Sequence, residues 1–340
     1  MLTSNVLVIG GSGFIGSHLV ARLSGVANHS NAPLEHATVV IPPMDPERIV
    51  VATRNEDNAR DLLALPRVEI VVLDVTDEAA LDSAIGSLGI EGIVVNLVGV
   101  LHGGRGDPYG PGFAAAHVEL PRRLIDSMRR TGVRRLLHMS ALGADSAGPS
   151  MYLRSKGDGE RAVRESGLDW TVFRPSVVFG PDDHFLNLFA SMQRLAPVVP
   201  LACAQARFQP VYVQDVAQAM VNAMATPATI GRCYELGGPQ VYTLEELVRF
   251  AGEASGHPRP VLALPDALAR LQAAVLEHMP GGPVMSRDNL DSMRLDNVLS
   301  GPMAPELGVH PTSLEAVMTE ALSGGRETRL EALRSSVHRR

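Results

Sequence analysis

Short apolar runs alternate with longer amphipathic stretches over the first 180 residues of the chain. Six of these runs are rich in β-branched residues and are predicted strands: NVLVIG, RIVVATR, VEIVVLDV, GIVVNLVGV, RRLLHMS and DWTVFRP. Because the runs are continuously apolar, they are typical of parallel strands that are covered on both faces. Helical patterns separate them at about 14–25, 57–65, 77–88, 112–131 and 152–166. The alternation predicts an α/β protein with a doubly wound parallel sheet.

The alternation becomes less regular after Gly180. The pattern there predicts a helix near 185–195, a strand near 208–213, helices near 214–226 and 243–255, and further helical stretches to about 323. We therefore expect a Rossmann-type domain over 1–180, a smaller, mostly helical C-terminal cap or substrate region over 181–325, of which 205–240 partly return to the sheet, and a basic tail over 326–340.

One segment interrupts the first domain. The stretch NHSNAPLEHATVVIPPMDPE carries four prolines, which exclude a regular element over most of its length. We interpret residues 28–48 as an insertion. Within it, ATVVI is either an extra edge strand or the second strand of the sheet.

Composition and charge exclude several classes of protein. Of the 340 residues, 45% are hydrophobic and 20% are charged, an ordinary globular balance. The net charge of -7 and an aromatic content of 4% argue against nucleic acid as a partner. No apolar run reaches the roughly 18 residues that a membrane span requires, and a strand begins almost at Met1, without room for a signal peptide. These features predict a cytoplasmic location without a transmembrane segment.

The cysteines and histidines give no metal signature. Cys203 and Cys233 lie in no CxxC spacing and indicate a reducing compartment. The histidines considered as ligands form no HExxH or comparable spacing: His102, His117, His138 and His184. We predict no metal.

The stretch VLVIGGSGFIGSHLVARL has the pattern of a dinucleotide-binding turn. Gly10, Gly13 and Gly16 follow a predicted strand and open a predicted helix. In such a turn the first glycine permits the tight bend, the second lets the backbone approach a pyrophosphate, and the third lets helix and strand pack closely. The surrounding strand and helix make this pattern more specific than the glycines alone.

The second and third strands bear on the choice of cofactor. NAD-binding sites usually carry Asp or Glu at the end of the second strand, but here Thr53, Arg54 and Asn55 stand there. Because a guanidinium pairs well with a 2′-phosphate, Arg54 favours NADP(H), with NAD(H) as the alternative. Asp74 follows the third strand, where it could accept from the adenine amino group or simply start the turn in LDVTD.

Tyr152 and Lys156 stand four apart on a predicted helix and therefore share one face. An ammonium near a phenol favours the phenolate, so this pair could transfer a proton while the lysine binds ribose hydroxyls. Ser140, at the end of the fifth strand, could polarise a substrate oxygen. A solvated Tyr/Lys pair is the simpler alternative. Gly157 and Gly159 cost the helix roughly 1 kcal/mol each relative to Ala and predict a less rigid C-terminal part.

The order of the motifs resembles the extended and atypical short-chain dehydrogenase/reductase superfamily. The resemblance covers residues 5 to about 255, through the glycine turn, the YxxxK pair, RPSVVFGP, PVYVQDVAQAM and YELGGPQVYTLEEL. The stretches MYLRSKGDGERAV, GPDDHFLNLFASMQRL and RFQPVYVQDVAQAM are most similar to the group that contains the accessory NADPH-binding subunit of respiratory complex I and its bacterial relatives.

The resemblance implies a Rossmann domain and a set of cofactor contacts. Tyr152 and Lys156 would meet the nicotinamide ribose, and Pro175 and Ser176 would border the carboxamide. The full set of implied cofactor residues is Gly10, Ser12, Gly13, Phe14, Ile15, Gly16, Arg54, Asp74, Val75, Asn96, Val98, Lys156, Pro175 and Ser176.

Three functions remain open from the sequence. The first is an NADP(H)-dependent oxidoreductase in which Tyr152, Lys156 and Ser140 act on a carbonyl or quinone-like substrate. The cap, rich in Leu, Met and Pro, would bind an apolar small molecule or equally form a protein-facing surface. The second is a non-catalytic NADPH-binding subunit that associates peripherally with a respiratory complex at the inner membrane. The third is an NAD-dependent epimerase or dehydratase, which Arg54 disfavours.

Overall fold

The computed structural model describes residues 4–26, 44–277 and 285–323. Most of the predicted 28–48 insertion, including ATVVI, and the predicted basic tail 326–340 lie outside these ranges.

The first half of the chain alternates strands and helices. Its elements, in chain order, are β1 (Val6–Ile9), α1 (Phe14–Leu23), β2 (Ile49–Thr53), a 3₁₀ helix (Glu56–Ala64), β3 (Val68–Val72), α2 (Glu78–Gly86), β4 (Ile93–Asn96), α3 (Pro111–Phe113), a π-helical segment (Ala114–Glu119), α4 (Leu120–Thr131), β5 (Arg135–Met139), α5 (Met151–Arg164) and β6 (Asp169–Pro175).

The second half is richer in helices. Its elements are β7 (Val178–Phe179), α6 (Leu186–Leu195), β8 (Val199–Leu201), β9 (Arg207–Phe208), β10 (Val211–Tyr212), α7 (Val213–Ala225), a 3₁₀ turn (Pro227–Thr229), β11 (Arg232–Leu236), β12 (Tyr242–Thr243), α8 (Leu244–Ala254), β13 (Val261–Ala263), α9 (Asp266–Leu276), α10 (Arg287–Ser292), a 3₁₀ turn (Pro305–Leu307) and α11 (Leu314–Leu322).

A seven-stranded parallel sheet forms the centre of the molecule, in the order β11-β6-β5-β4-β1-β2-β3. β1 pairs with β2 on one side and with β4 on the other, so the strand order reverses at β1. This is the Rossmann arrangement, and it confirms the predicted fold class. Ligands of such sheets bind at the carboxyl ends of the strands where the order reverses.

The two faces of the sheet carry separate apolar cores. Leu19 and Val20 of α1 and Val216 and Met220 of α7 pack in one of them. The other core contains Leu81 of α2 together with side chains of α4, and a third lies in the cap between α6, α8 and α11. The first two cores explain why the strands are apolar on both sides. Among the described helices, none has the length and apolar character needed to cross a bilayer.

Two predicted helices differ in type from an α-helix. The helix predicted over 57–65 is 3₁₀, and its two buried residues, Ala59 and Leu62, are three apart, the spacing that aligns side chains in a 3₁₀ helix. The helix predicted over 112–131 contains the π-helical segment Ala114–Glu119. Pro121 has no N–H to donate to the carbonyl of His117, which favours the wider π turn there.

The strand predicted near 208–213 is also different. β9 and β10 replace it as two short strands that pair with different partners, β12 and β7. Pro210 lies between them and cannot donate a hydrogen bond to a continuous ladder.

Gly157 and Gly159 do not weaken α5, which continues to Arg164. A Cβ on Gly159 would lie 1.8 Å from the carbonyl oxygen of His117, and one on Gly157 would lie 2.4 Å from the carbonyl carbon of Asp145. The glycines therefore allow the backbone of α5 to approach its neighbours closely. The expectation of a less rigid C-terminal part stays a prediction; the structure adds a packing reason for the two glycines.

Gly159→Ala should destabilise the protein because its methyl group would collide with the backbone of His117. We expect a loss of about 3 kcal/mol in the free energy of unfolding, at the upper end of the usual cost of overpacking. Urea denaturation measures it.

Gly86→Ala provides the matched control on another helix. Its Cβ would meet the methyl group of Thr131 at 3.5 Å, an ordinary contact. This variant should be as stable as the wild type or more stable by roughly 0.5–1 kcal/mol. Equal stability of the two variants would contradict the close approach of α5.

Candidate cofactor and active site

The glycine turn lies where the strand order of the sheet reverses. Gly10 follows β1 with a φ of +85°, and a Cβ there would lie 3.2 Å from the amide nitrogen of Val98 after β4. The amide of Gly13 donates to the carbonyl of Gly10 at 3.1 Å. A Cβ on Gly16 would lie 2.2 Å from that same carbonyl oxygen, so α1 packs directly against the turn.

The N-terminus of α1 has the features of an anion site. Gly13 is its N-cap, is exposed, and supplies no side chain to cap the first turn, which also holds no acidic residue. The amides of Phe14, Ile15 and Gly16 are those that an α-helix leaves without an intrahelical acceptor. Together with the half-buried Ser12, they form a cradle that fits a pyrophosphate.

Arg54 and Asp74 lie at the carboxyl ends of β2 and β3, on the same edge of the sheet as the glycine turn. Arg54 is exposed and makes no hydrogen bond or ion pair with the described residues. Oδ1 of Asp74 accepts from the amide and the hydroxyl of Thr76, at 2.8 and 2.7 Å. These bonds lower the pKa of Asp74. Val75, beside it, is half-buried.

The end of β4 closes the inner side of this edge. The side-chain oxygen of Asn96 accepts from the amide of Val98 at 3.2 Å, and its amide nitrogen lies 3.2 Å from Nδ1 of His138. The pKa of His138 is lowered to about 3. Burial is the larger cause, and the positive charge of Lys156 is the smaller one. Asn96 and His138 thus form a neutral, buried pair that fixes the loop after β4.

Lys156 reaches this loop from α5. Its Nζ donates to the carbonyl oxygen of Met139 at 3.1 Å and lies 3.2 Å from where a Cβ of Gly99 would stand. The side chain is only 4% exposed, and no carboxylate forms an ion pair with it among the described residues. Burial lowers the pKa of Lys156 to about 8. At neutral pH it therefore remains mostly charged.

Tyr152 lies one turn before Lys156 on α5. Its ring packs edge to face against His117, with centroids 5.6 Å apart, and against Phe113 at 6.3 Å. Its hydroxyl has no hydrogen-bond partner among the described residues. Burial raises the pKa of Tyr152 to about 12, and no charge offsets this shift. In this structure Tyr152 is a protonated phenol, and the phenolate expected beside Lys156 is not favoured.

His117 connects the two sides of the site. Its Nε2 accepts from the amide of Val100 at 3.0 Å, so the proton is on Nδ1, which donates to Ser155 at 2.8 Å. Ser155 in turn donates to the carbonyl of Tyr152 at 2.8 Å. Burial, and then the charge of Lys156, lower the pKa of His117 to about 2. The neutral ring ties the π-helical segment to α5.

Ser140 was predicted to polarise a substrate oxygen, but its hydroxyl is bound to a carboxylate of α5. Its hydroxyl donates to Oε2 of Glu160 at 2.8 Å, and no hydrogen bond joins it to Tyr152 within the described residues. Glu160 also accepts two hydrogen bonds from Arg174, at 2.8 and 2.7 Å, and one from Cys233 at 3.3 Å. This buried network fastens α5 to β5, β6 and β11.

Pro175 and Ser176 lie at the end of β6. Pro175 pairs with Leu236 in the sheet register, and the amide of Ser176 donates to Leu236 at 2.8 Å. The Ser176 hydroxyl lies 2.7 Å from Oδ1 of Asn297 and accepts from the amide of Gln209 at 3.3 Å. Ser176 is thus engaged with the cap.

A cavity of about 520 Å³ lies between the loop after β4, the start of α5 and the cap. Phe113 and Met151 line it next to Tyr152, and Arg154, Arg287 and Asp288 line it from α5 and α10. Arg287 pairs with Glu277 at 2.9 Å. The cavity therefore combines two apolar side chains that neighbour Tyr152 with several charged side chains of α5 and the cap.

Four residues of this region were not predicted from the sequence as members of the site: His117, Glu160, Arg174 and Asp288. His117 was seen only as one of several histidines without ligand spacing. Glu160 and Arg174 carry no recognisable spacing, because their partners lie 14 to 73 residues away. Within the described residues no three His, Cys, Asp or Glu side chains gather to hold a metal ion.

Comparison with known proteins identifies related chains. Residues 6–237 match the family described as NAD dependent epimerase/dehydratase family. The rat protein NADH dehydrogenase [ubiquinone] 1 alpha subcomplex subunit 9, mitochondrial (Rattus norvegicus), is 31% identical over 234 residues, which are 68% of this chain and 61% of the relative. The match thus spans about three fifths of the length of that relative.

Two further matches extend the comparison. A ceramide reductase from Caulobacter vibrioides is 28% identical over 267 residues, 77% of this chain and 74% of the relative. The solved structure of DesIV, a dTDP-glucose 4,6-dehydratase from Streptomyces venezuelae with NAD and TYD bound, is similar with a TM-score of 0.66 at 22% identity, covering 96% of this chain and 98% of that one.

These findings bear on the fold and the family of the chain. The likeness to DesIV shows the shared fold, and the matched residues 6–237 extend from β1, past the glycine turn, Tyr152 and Lys156, to the end of β11. The resemblance to extended short-chain dehydrogenases/reductases is confirmed, and the chain belongs to the NAD dependent epimerase/dehydratase family.

Proposed function

We propose that the protein binds NADP(H) and reduces a carbonyl or quinone-like substrate. The observation that carries this proposal is the placement of Lys156, one turn after Tyr152 on α5: Lys156 adjoins Gly99, and Gly10 of the glycine turn adjoins Val98 on the same loop. When bound, the nicotinamide would supply a hydride. Gly10, Gly13 and Gly16 would hold the pyrophosphate, and Asn96 and Val98 would line the inner side.

The protonated state of Tyr152 suits the direction of reduction. In that direction the hydroxyl of Tyr152 would give its proton to the oxygen of the substrate carbonyl as that oxygen gains negative charge. Solvent reprotonates the phenolate. The ammonium of Lys156 would stabilise the negative charge that appears on Tyr152 in this step and would donate to the ribose. Ser140 is bound to Glu160, so we assign it mainly to holding α5.

The cap cavity would hold the substrate. Phe113 and Met151 offer it an apolar surface next to Tyr152, which suits the apolar ligand expected from the sequence. The relative named ceramide reductase supports reduction as the reaction class. An epimerase or dehydratase reaction is less favoured because Arg54 stands where NAD-binding sites usually carry an acid.

A second function is supported by the relative named as a subunit of NADH dehydrogenase. In that case the protein would hold NADPH without turnover and associate peripherally with a respiratory complex at the inner membrane. The engagement of Ser140 by Glu160 is compatible with it. We favour catalysis, in a cytoplasmic protein, because the hydroxyl of Tyr152 has no partner among the described residues.

Arg54 should determine the preference between the two nucleotides. NADPH should bind at least about tenfold more tightly than NADH, since Arg54 is exposed, has no partner within the described part of the chain and could pair with the 2′-phosphate. Arg54→Ala should reduce this ratio to near one by weakening NADPH alone. Fluorescence titration measures both affinities.

Arg60→Ala is the control, because Arg60 is an exposed arginine nearby that pairs with Asp57 at 3.1 Å. The ratio should not change in that variant. Equal affinities for NADPH and NADH in the wild type would refute the assignment of Arg54.

Tyr152→Phe should separate the two functions. The variant keeps the ring and its contacts with His117 and Phe113 but removes the transferable proton, so turnover should fall roughly 10²–10⁴-fold while NADPH affinity changes little. Lys156→Met should lower both turnover and NADPH affinity. Stopped-flow oxidation of NADPH by a panel of carbonyls and quinones measures the turnover.

A nucleotide holder would behave differently in the same experiment. The NADPH-loaded wild type would then reduce no member of the panel, Tyr152→Phe would match it in affinity and stability, and Lys156→Met would lose nucleotide. That combination of results would exclude the catalytic function.

The buried charge of Lys156 should be visible in the pH dependence of stability. Its pKa is about 8 in the folded protein, against the ordinary lysine value of 10.5, so the unfolded chain binds more protons between these values and folding becomes more favourable as the pH rises. Both proteins are compared without nucleotide. The Lys156→Met variant lacks this gain in stability with pH because it has no ammonium group at this position. The difference in unfolding free energy between the two proteins should change by roughly 3 kcal/mol from pH 7 to pH 10.5.

Chemical denaturation at several pH values measures the difference. A difference that does not vary with pH would show that the ammonium is not desolvated in the folded protein.

A further inference from the structure

The first turn of α5 is capped by a residue of the cap. Asp288, on α10, accepts from the amide of Met151 at 2.6 Å through Oδ1 and from the amide of Tyr152 at 3.0 Å through Oδ2. It is 8% exposed. A carboxylate that lies 136 residues away in sequence thus binds the backbone of the tyrosine at the centre of the site.

These amides have no partner within their own helix. The first turn of an α-helix leaves its N–H groups without intrahelical acceptors. The side chain of Ser150, the N-cap of α5, accepts from the amide of Leu153 at 3.1 Å. The hydroxyl of Ser292, also on α10, donates to that of Ser150 at 2.8 Å. The cap therefore completes the N-terminus of α5 through two residues of one short helix.

The rest of α5 is held by the Rossmann domain. Lys156 bonds to Met139, Gly159 packs against His117, and Glu160 is bound by Arg174. Tyr152 belongs to the turn before these anchors. Its ring packs against His117 and Phe113, and its backbone belongs to the turn that Asp288 holds, so its orientation relative to Lys156 depends on both.

Asp288 also lines the cavity of about 520 Å³ that Met151 lines from α5. The same carboxylate thus contacts the proposed substrate space and the backbone of Tyr152. A negative charge at the N-terminus of a helix is stabilised by the helix dipole, which strengthens both hydrogen bonds.

We propose that Asp288 is a positioning residue that holds the first turn of α5, and with it the hydroxyl of Tyr152, in the geometry needed for proton transfer. This inference rests on the proposed function. In the absence of the carboxylate the two amides lose their acceptor, the first turn frays, and Tyr152 moves relative to Lys156. The glycine turn and Lys156 are untouched, so the nucleotide site remains intact.

The experiment compares wild type, Asp288→Asn and Asp288→Ala in the NADPH-loaded full chain. Hydrogen–deuterium exchange of the peptide that contains residues 151–153 reports how often the first turn of α5 opens. Steady-state kinetics with the best substrate of the carbonyl and quinone panel report the rate of the reaction that includes proton transfer. The Asp288→Asn variant keeps the shape of the side chain and one acceptor oxygen. It therefore still tests the proposal if Asp288→Ala fails to fold. Asp296→Asn is the control, since Asp296 is an exposed carboxylate of the cap that pairs with Arg207.

Asp288→Ala should accelerate exchange of the first turn roughly tenfold or more, with the amides of β5 unchanged. Its kcat should fall roughly 10- to 100-fold, while NADPH affinity stays within about twofold of the wild type. Asp288→Asn should lie between Ala and wild type in both measurements, and Asp296→Asn should match the wild type.

Unchanged exchange of residues 151–153 in Asp288→Ala would overturn the capping role. Faster exchange with an unchanged kcat would overturn the positioning role. A parallel loss of NADPH affinity and kcat would also overturn it, since the effect would then not be confined to Tyr152. If the wild type turns over no substrate, the proposed function and the positioning role fail together, whereas exchange still decides whether Asp288 caps the helix.

Discussion

A buried ammonium without a carboxylate partner is the constraint on which this site depends. Lys156 is almost fully buried, and among the described residues its charge is met by the carbonyl of Met139 rather than by an acid. A buried charge of this kind costs several kcal/mol unless other groups hold it in place. The cost has to be met by the packing around α5. Neutral His117 and His138 lie on the nearby π-helical segment and strand, with pKa values lowered in part by Lys156 itself.

The contacts that hold α5 in place explain how the protein tolerates the buried charge of Lys156. Gly157 and Gly159 let the helix lie directly against the backbone of neighbouring segments. The ion pair of Glu160 with Arg174 binds the helix to β6 of the sheet. Removal of Arg174 would leave the buried Glu160 with only the longer ion pair to Arg164, at 3.7 Å, and would weaken this attachment. The helix is thus bound to the sheet beyond Lys156 and to the cap, through Asp288, at its first turn.

Features that rest on local pattern could be predicted from the sequence. The six strands of the first half, the glycine turn and the shared face of Tyr152 and Lys156 follow from apolar runs and fixed spacings. The 3₁₀ and π segments could not be predicted, because they depend on the burial of Ala59 and Leu62 and on the missing N–H of Pro121. Ser140 was given a substrate-facing role because its partner Glu160 is 20 residues away and gives no sign in the sequence. Asp288 is further still from the residues it binds.

The unpaired charge of Lys156 also links the two candidate functions. A polyanionic nucleotide bound along the glycine turn would bring negative charge and ribose hydroxyls to the loop that Lys156 adjoins, and would relieve part of the cost of its burial. Nucleotide binding should therefore stabilise the fold whether or not a reaction follows. What would distinguish an enzyme from a nucleotide holder is then the hydroxyl of Tyr152: an enzyme would transfer its proton to a substrate, whereas a holder would use the residue only for packing against His117 and Phe113.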